Sequence, residues 1–231
     1  IIKLLILIND LSFFYSHRLP IAEASKEKGF NVVIGYGELG GADPKHAEEK
    51  GFKLKHIPIA RGSINPFKDI KSFYHIWNFF KKEKPDIVHL VTIKPYLYGG
   101  IIARLTGVRC LVSAVSGLGS LFINNSFNAI FLRILLYPIF KTAFNHDNQK
   151  IILQNKNDLE VLKNWGVLNS LKVKLLNGSG VNLENFNKHD EPVGIPVICF
   201  AARLTKEKGV NEFVAAAKIL KERKIKAKYF L

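Results

Sequence analysis

Arg203 and Lys208 stand five residues apart, between an apolar run that ends in small residues (Val197–Ala201) and a helical pattern over Val210–Arg223. Arginine supplies a planar fork of donors and lysine a compact point charge. The first turn of a helix supplies N–H groups without intrahelical partners. Gly209 lets the backbone come close to whatever lies there. Such a set suits a diphosphate; an ordinary solvated loop in a lysine-rich chain accounts for the same residues. Single candidates sit elsewhere: His17, Lys94 and Ser116-Gly117 follow strand-like runs, and His89 ends one. Plain structural roles compete for each: a helical histidine satisfied by a neighbour, a solvated lysine, a strand histidine held by a hydrogen bond.

The elements that must position these residues follow from hydrophobic pattern. Ile1–Ile8 is a continuous apolar run, as expected of a central parallel strand covered on both faces. Asn31–Tyr36, Phe52–Ile57, Asp86–Val91, Arg109–Val115, Lys150–Gln154 and Lys172–Leu176 repeat the theme. Helical patterns fall between them, over His17–Lys28, Pro66–Lys82, Tyr96–Thr106, Phe127–Phe144 and Asn157–Trp165. Strand–helix alternation predicts an open parallel α/β sheet whose ligands lie beyond the carboxyl ends of the strands. After the turn residues Asn177-Gly178-Ser179-Gly180 and a polar stretch to Pro192, the alternation restarts with Val197–Ala201, Val210–Arg223 and Ala227–Leu231. The expected organisation is one doubly wound domain over residues 1–178 and the beginning of a second over residues 179–231.

Composition narrows the function classes. The chain has 231 residues, 48% of them apolar, and a formal net charge of +15, which points to an anionic partner or to a solvated basic surface. Cys110 and Cys199 lie in apolar runs without metal-ligand spacing and are expected to be small buried hydrophobes. Gly35-Tyr36-Gly37-Glu38-Leu39-Gly40 spells a dinucleotide-binding pattern, but no helix opens on its last glycine. A flexible loop is the expected structure there, ahead of a helix starting near Asp43-Pro44. Ser116-Gly117-Leu118-Gly119 lacks the flanking pattern of a nucleophile elbow. No nucleic-acid motif is present, and the aromatics fall at helical, core-like spacings.

Taken in order, the motifs resemble the retaining glycosyltransferases of family four, which have the GT-B architecture of two Rossmann-like domains. Arg203 to Gly209 is similar to their R-x-x-x-x-K-G signature, and Asn177 to Phe186 to their N-G-V-D-x-x-x-F linker. The linker departs by Ser179-Gly180 in place of one residue and by Asn182 where Asp is usual. Pro85-Asp86-Ile87-Val88-His89 resembles a strand of the same family. Three further segments fit a subgroup that builds bacterial lipid-linked glycans: Asn9 to Pro20, Thr92 to Pro95 with Gly99-Gly100, and Ser116 to Gly119.

The resemblance implies transfer of a sugar, an N-acetylhexosamine in that subgroup, from a UDP-sugar to a polyprenyl-diphosphate-linked glycan. It implies retention of configuration and no metal or other cofactor. Arg203, Lys208 and Gly209 would hold the donor, with Arg203 and Lys208 stabilising the leaving diphosphate. His17, Lys94, Ser116 and Gly117 would hold the acceptor. The family's usual His-Gly pair stands here as Ser116-Gly117, which leaves that histidine's role unfilled. The family's E-x7-E motif is expected beyond Leu231, so these residues alone are expected to lack transfer activity. A UDP-sugar epimerase of the same architecture and a non-enzymatic anion-binding module are the alternatives.

The helix over Phe127–Phe144 is unusually apolar and is read either as sheet cover or as a surface lying in a membrane interface. With the aromatic run from Phe67 to Phe80 and its lysines, it leads to an expected cytoplasmic protein, peripheral at the inner face of the cell membrane and drawn to anionic lipid.

Overall fold

The computed structural model describes residues 1–59, 65–119, 122, 126–184 and 186–231; Asn185 of the linker motif lies outside them. The chain separates into two compact units, Ile1–Gly180 and Val181–Leu231.

The first unit is built on a parallel sheet of strands β1 (Lys3–Asp10), β2 (Asn31–Glu38), β3 (Lys53–His56), β4 (Ile87–Val91), β5 (Cys110–Val115), β6 (Gln149–Leu153) and β7 (Val173–Leu175). Their order is β3-β2-β1-β4-β5-β6-β7, all parallel. The order reverses between β1 and β4. Because strand side chains alternate, Leu5 and Leu7 enter one core with Val88 and Leu90, while Leu4, Ile6 and Ile8 enter the other with Val91. That two-sided burial is why β1 is apolar without interruption.

Helices α1 (Leu11–His17), α2 (Leu19–Glu27) and α3 (Lys45–Glu49) supply buried residues to the second of these cores; α4 (Pro66–Glu83), α5 (Ile93–Leu105), α6 (Phe127–Ala143) and α7 (Lys156–Asn164) supply them to the first. Side-chain caps start several of them where the sequence places Asp, Asn or Ser. Asp10 accepts from the amides of Ser12 (2.9 Å) and Phe13 (3.4 Å), and Asn65 accepts from Phe67 and Lys68. Ser126 accepts from Ala129 and Asn155 from Asp158.

Several expectations need correction. The first helix opens at Leu11 rather than His17 and breaks at Arg18, giving two helices. Asp10 caps it directly off the strand, and Pro20, which has no N–H and crowds the carbonyl of the preceding turn, forces the break. Gly35 and Gly37 lie in strand β2, not in a loop. A Cβ on Gly37 would sit 2.6 Å from the Asn9 carbonyl oxygen, so glycine there allows the backbones to approach. Cys110 is half-buried and Cys199 exposed, because in the second unit the strands β8 (Val197–Cys199) and β9 (Lys228–Phe230) form a sheet of only two. There, helix α8 (Val210–Glu222) brings Phe213 against Phe200 and Tyr229.

Helix α6 is sheet cover only at its carboxyl end, where Phe140 and Ala143 are buried; Phe127, Ile130, Phe131, Ile134 and Leu135 are exposed. Phe67, Ile70 and Tyr74 of α4 are exposed too. No helix among the described residues is long and apolar enough to cross a membrane.

At the amino ends of the strands, buried Glu83 pairs with Lys53 (2.8 Å) and Lys3 (3.4 Å). Burial opposes its ionisation, but the hydrogen bonds and charges of Lys53 and Lys3 outweigh it and hold the carboxyl below its ordinary value of 4.5. A depressed carboxyl contributes stability that is fully present above the unfolded value and is lost as pH falls through the folded value. Glu83→Gln should therefore lower stability at neutral pH, with the gap to the parent protein narrowing as pH falls below 4.5 and through the depressed folded value. Urea titrations over a series of pH values from neutral into acid measure it; a gap that does not narrow would contradict the assignment.

Candidate functional site

In the second unit, the chain leaves β8 at Cys199 and reaches Arg203 in the loop toward α8. Lys206–Lys208 forms a single 3₁₀ turn, closed by the Lys208 amide on the Thr205 carbonyl at 3.0 Å. Gly209 then adopts φ +86°, a left-handed conformation that costs glycine little, and α8 starts on the next residue without a side-chain cap. The first-turn amides of a thirteen-residue helix are thus free of side-chain partners. Arg203 and Lys208 are both exposed on this one loop. Glu207 between them is held below its ordinary value by hydrogen bonds from its own backbone and Thr205, with Arg203 and Lys206 adding their charge. The loop therefore presents a cationic surface and helix amides at the carboxyl end of a strand, which is a place for phosphate oxygens.

In the first unit, the strand order reverses between β1 and β4, and the crevice above their carboxyl ends is where such sheets take ligands. Thr92, joining β4 to α5, has φ +74° and ψ 164°, strained for a β-branched residue, and its hydroxyl donates to the Val91 carbonyl. Helix α5 also lacks a side-chain cap. Lys94, in its first turn, is paired with Asp69 at 2.5 Å. Burial, with the Asp69 charge and hydrogen bond, pushes the Tyr98 hydroxyl up. Lys94 thus ties α5 to α4 and its charge is already matched.

His17 ends α1, stacked on Phe13 at 4.0 Å, with Ser16 Oγ 2.6 Å from its Nδ1. Burial and then the Arg18 charge push it below its ordinary value. Ser116 is exposed just past β5, and Gly117 follows with φ +144°. His17, Lys94 and Ser116-Gly117 thus follow strands β1, β4 and β5, which are neighbours in the sheet.

Sequence reasoning missed Arg18. It is buried, and its Nη1 donates to the His17 carbonyl (2.8 Å) and to Ser179 Oγ (3.2 Å). Its Nε has no hydrogen-bond partner, and it makes no ion pair among the described residues. His89 Nε2 and Asn9 Oδ1 are likewise buried without partners. Burial and the nearby Arg18 charge lower the His89 pKa to about 3, so its ring is neutral at physiological pH. Among the described residues no group of three or more His, Cys, Asp or Glu could hold a metal ion.

The sequence profile of a family described as Glycosyl transferase 4-like matches residues 3–155. The chain is 26% identical over 224 residues to the N,N'-diacetylbacillosaminyl-diphospho-undecaprenol alpha-1,3-N-acetylgalactosaminyltransferase of Campylobacter jejuni, covering 90% of this chain and 58% of that protein. It is 31% identical over 177 residues to the UDP-Gal:alpha-D-GlcNAc-diphosphoundecaprenol alpha-1,3-galactosyltransferase of Escherichia coli, covering 72% and 44%. The chain thus spans about half the length of these relatives. Among solved structures, sucrose-phosphate synthase of Thermosynechococcus elongatus matches with a TM-score of 0.64 at 15% identity, over 93% of this chain and 59% of that one. That likeness is one of fold, the α/β arrangement of GT-B-type enzymes.

Proposed function

Because the chain belongs to the glycosyl transferase 4-like family, we propose that the protein carrying it transfers a sugar, an N-acetylhexosamine, from UDP to a polyprenyl-diphosphate-linked glycan with retention of configuration. The observation that carries this reading is the β8–α8 loop. Arg203, Lys208 and the uncapped amides of α8 offer a diphosphate two cations and a helix amino terminus. In the transfer, the bond from the anomeric carbon to the diphosphate oxygen breaks and a bond to an acceptor hydroxyl oxygen forms. The departing diphosphate oxygen keeps the electron pair of the broken bond, and the proton released by the acceptor hydroxyl passes to that oxygen or to solvent. Negative charge grows on the leaving diphosphate, and Arg203 and Lys208 stabilise it where it grows. No cofactor enters this scheme. The first unit takes the acceptor, with His17 and Ser116-Gly117 at the mouth of the crevice and Lys94 holding α5 in place. The names of the two relatives, both of which act on undecaprenol-linked sugars, support the acceptor class. The test is a radiolabelled transfer assay with UDP-N-acetylhexosamines and a short-chain polyprenyl-diphosphate-linked glycan. Product that retains the donor's anomeric configuration supports the reading. Donor hydrolysis or epimerisation without transfer would end it.

An acceptor anchored in lipid requires the enzyme to work at the bilayer surface, peripheral at the inner face of the membrane. The exposed Phe127, Ile130, Phe131, Ile134 and Leu135 of α6 follow the i, i+3, i+4 spacing of one helix face. Phe67, Ile70 and Tyr74 of α4 stand beside the exposed Lys68 and Lys71. Apolar side chains with adjacent lysines suit an anionic interface. The doubly substituted Phe131→Ser, Ile134→Ser protein is expected to lose about tenfold in partitioning to anionic vesicles at low salt, with its fold unchanged because both side chains are exposed. Cosedimentation measures it; equal binding of the parent protein to neutral and anionic vesicles would remove the preference for anionic lipid, and no binding to either would remove the membrane contact.

A further inference from the structure

Lys94 is the cation that the sequence offers to an acceptor diphosphate, and its charge is matched by Asp69. The first unit nevertheless holds a guanidinium that no carboxylate matches among the described residues. Arg18 is 6% exposed and His89 7%. Buried charges are ordinarily paired, and buried donors ordinarily satisfied, because desolvation without compensation is costly. Here Arg18 Nε and His89 Nε2 both go without partners.

Their placement gives the departure a meaning. His89 lies on β4, paired in register with Ile6 of β1, at the strands flanking the reversal of the sheet. Arg18 joins α1 to α2, near enough for its charge to act on the His89 ring, and its Nη1 reaches the exposed Ser179, in the segment that follows β7. The guanidinium thus has a buried neutral imidazole nearby and holds a solvent-facing hydroxyl. Ser179 belongs to the two-residue departure from the linker motif noted in the sequence.

We propose that Arg18 is the anion-binding cation of the first unit, and that the group it takes is the diphosphate of the lipid-linked acceptor. This rests on the acceptor reading above. Arginine's fork matches phosphate oxygens in a way a single ammonium does not. Neutral His89 can add a hydrogen bond without adding charge, and Ser179 Oγ marks the outer edge of the site. A bound diphosphate would give the guanidinium the counter-charge it lacks.

The test uses the whole chain, with inorganic pyrophosphate and farnesyl diphosphate as probes and UDP as the competing source of a diphosphate. Arg18→Gln is expected to weaken farnesyl diphosphate binding at least about tenfold by calorimetry while leaving UDP affinity unchanged. Arg203→Gln is expected to do the reverse. Arg18→Lys keeps the charge and loses the fork, and should fall between. Should Arg18→Gln fail to fold, the Nε–H resonance of Arg18 in the Arg203→Gln protein, assigned by its absence from Arg18→Lys, gives a second readout. It should shift saturably with pyrophosphate. Unchanged farnesyl diphosphate binding in a folded Arg18→Gln protein would overturn the proposal and leave Arg18 as a fastener of the segment after β7. So would an Nε–H resonance that pyrophosphate does not move. Absence of UDP binding, with Arg18 still responding, would instead count against the transferase reading.

Discussion

In the whole protein, on the transfer proposed above, Arg203→Ala is expected to lower the turnover number by a factor of about 10² to 10³, the size of effect seen when one preorganised donor to a developing negative charge is removed. Lys208→Ala should cost a comparable factor. The reason is differential: charge on the diphosphate is larger in the transition state than in the bound donor, so the loss should appear mainly in kcat. A loss confined to KM would mean that the two residues grip donor and transition state alike. Arg203→Lys should recover only part of the rate, since it restores charge without the paired donors. Both side chains are exposed and neither forms an ion pair among the described residues, so thermal stability should hold. Steady-state kinetics with UDP release as the readout decide the matter. Unchanged kcat in both single variants would remove the diphosphate role from this loop.

The second large effect is on stability. Gly100→Val should destabilise the first unit by about 3 kcal/mol, the upper part of the usual range for overpacking a filled core. A Cβ at Gly100 would stand 2.7 Å from the Ala143 carbonyl oxygen and 3.1 Å from its Cα and Cβ. That carbonyl cannot step aside easily, since it also accepts from Gln149 Nε2 at 3.0 Å. Helices α5 and α6 would have to separate. Gly99 gives the internal control. Its Cβ would meet the end of the Leu90 side chain at 2.6 Å, which can change rotamer, and alanine regains up to about 1 kcal/mol of helix propensity. Gly99→Ala should therefore cost much less than any substitution at Gly100. Urea unfolding of the two variants measures the difference; equal stabilities would mean that α5 and α6 do not meet through Gly100.

The strands of the first unit were legible because each buried strand shows its burial in an apolar run, and β1 shows two-sided burial in having no polar break. The Arg203–Gly209 loop was legible for a local reason: strand end, arginine, turn, lysine, glycine and helix start lie within about a dozen residues. Arg18 was not. In Ser16-His17-Arg18-Leu19-Pro20 nothing local marks it as buried, and the groups it acts on, His89 and Ser179, lie far along the chain. Lys94 reads as a free loop cation for the same reason; Asp69, which matches it, sits 25 residues earlier on another helix. The glycine pattern at Gly35-Gly37-Gly40 is explained by neighbours as well. Gly37 leaves room for the Asn9 carbonyl, and Gly40 for the Asp10 carboxylate.

By itself, the order of residues determined what depends on short-range periodicity and on chemistry gathered within one loop: the alternating α/β plan, the helix starts at Asn and Ser caps, and the Arg203–Gly209 set. Folding in three dimensions decided which charges are matched and which are not. Whether a cation is neutralised depends on distances between elements that only the packed sheet and helices bring together. The pairing of Lys94, the burial of Arg18 without a carboxylate partner among the described residues and the exposure of the α6 face are facts of that packing, and no local pattern of side chains encodes them.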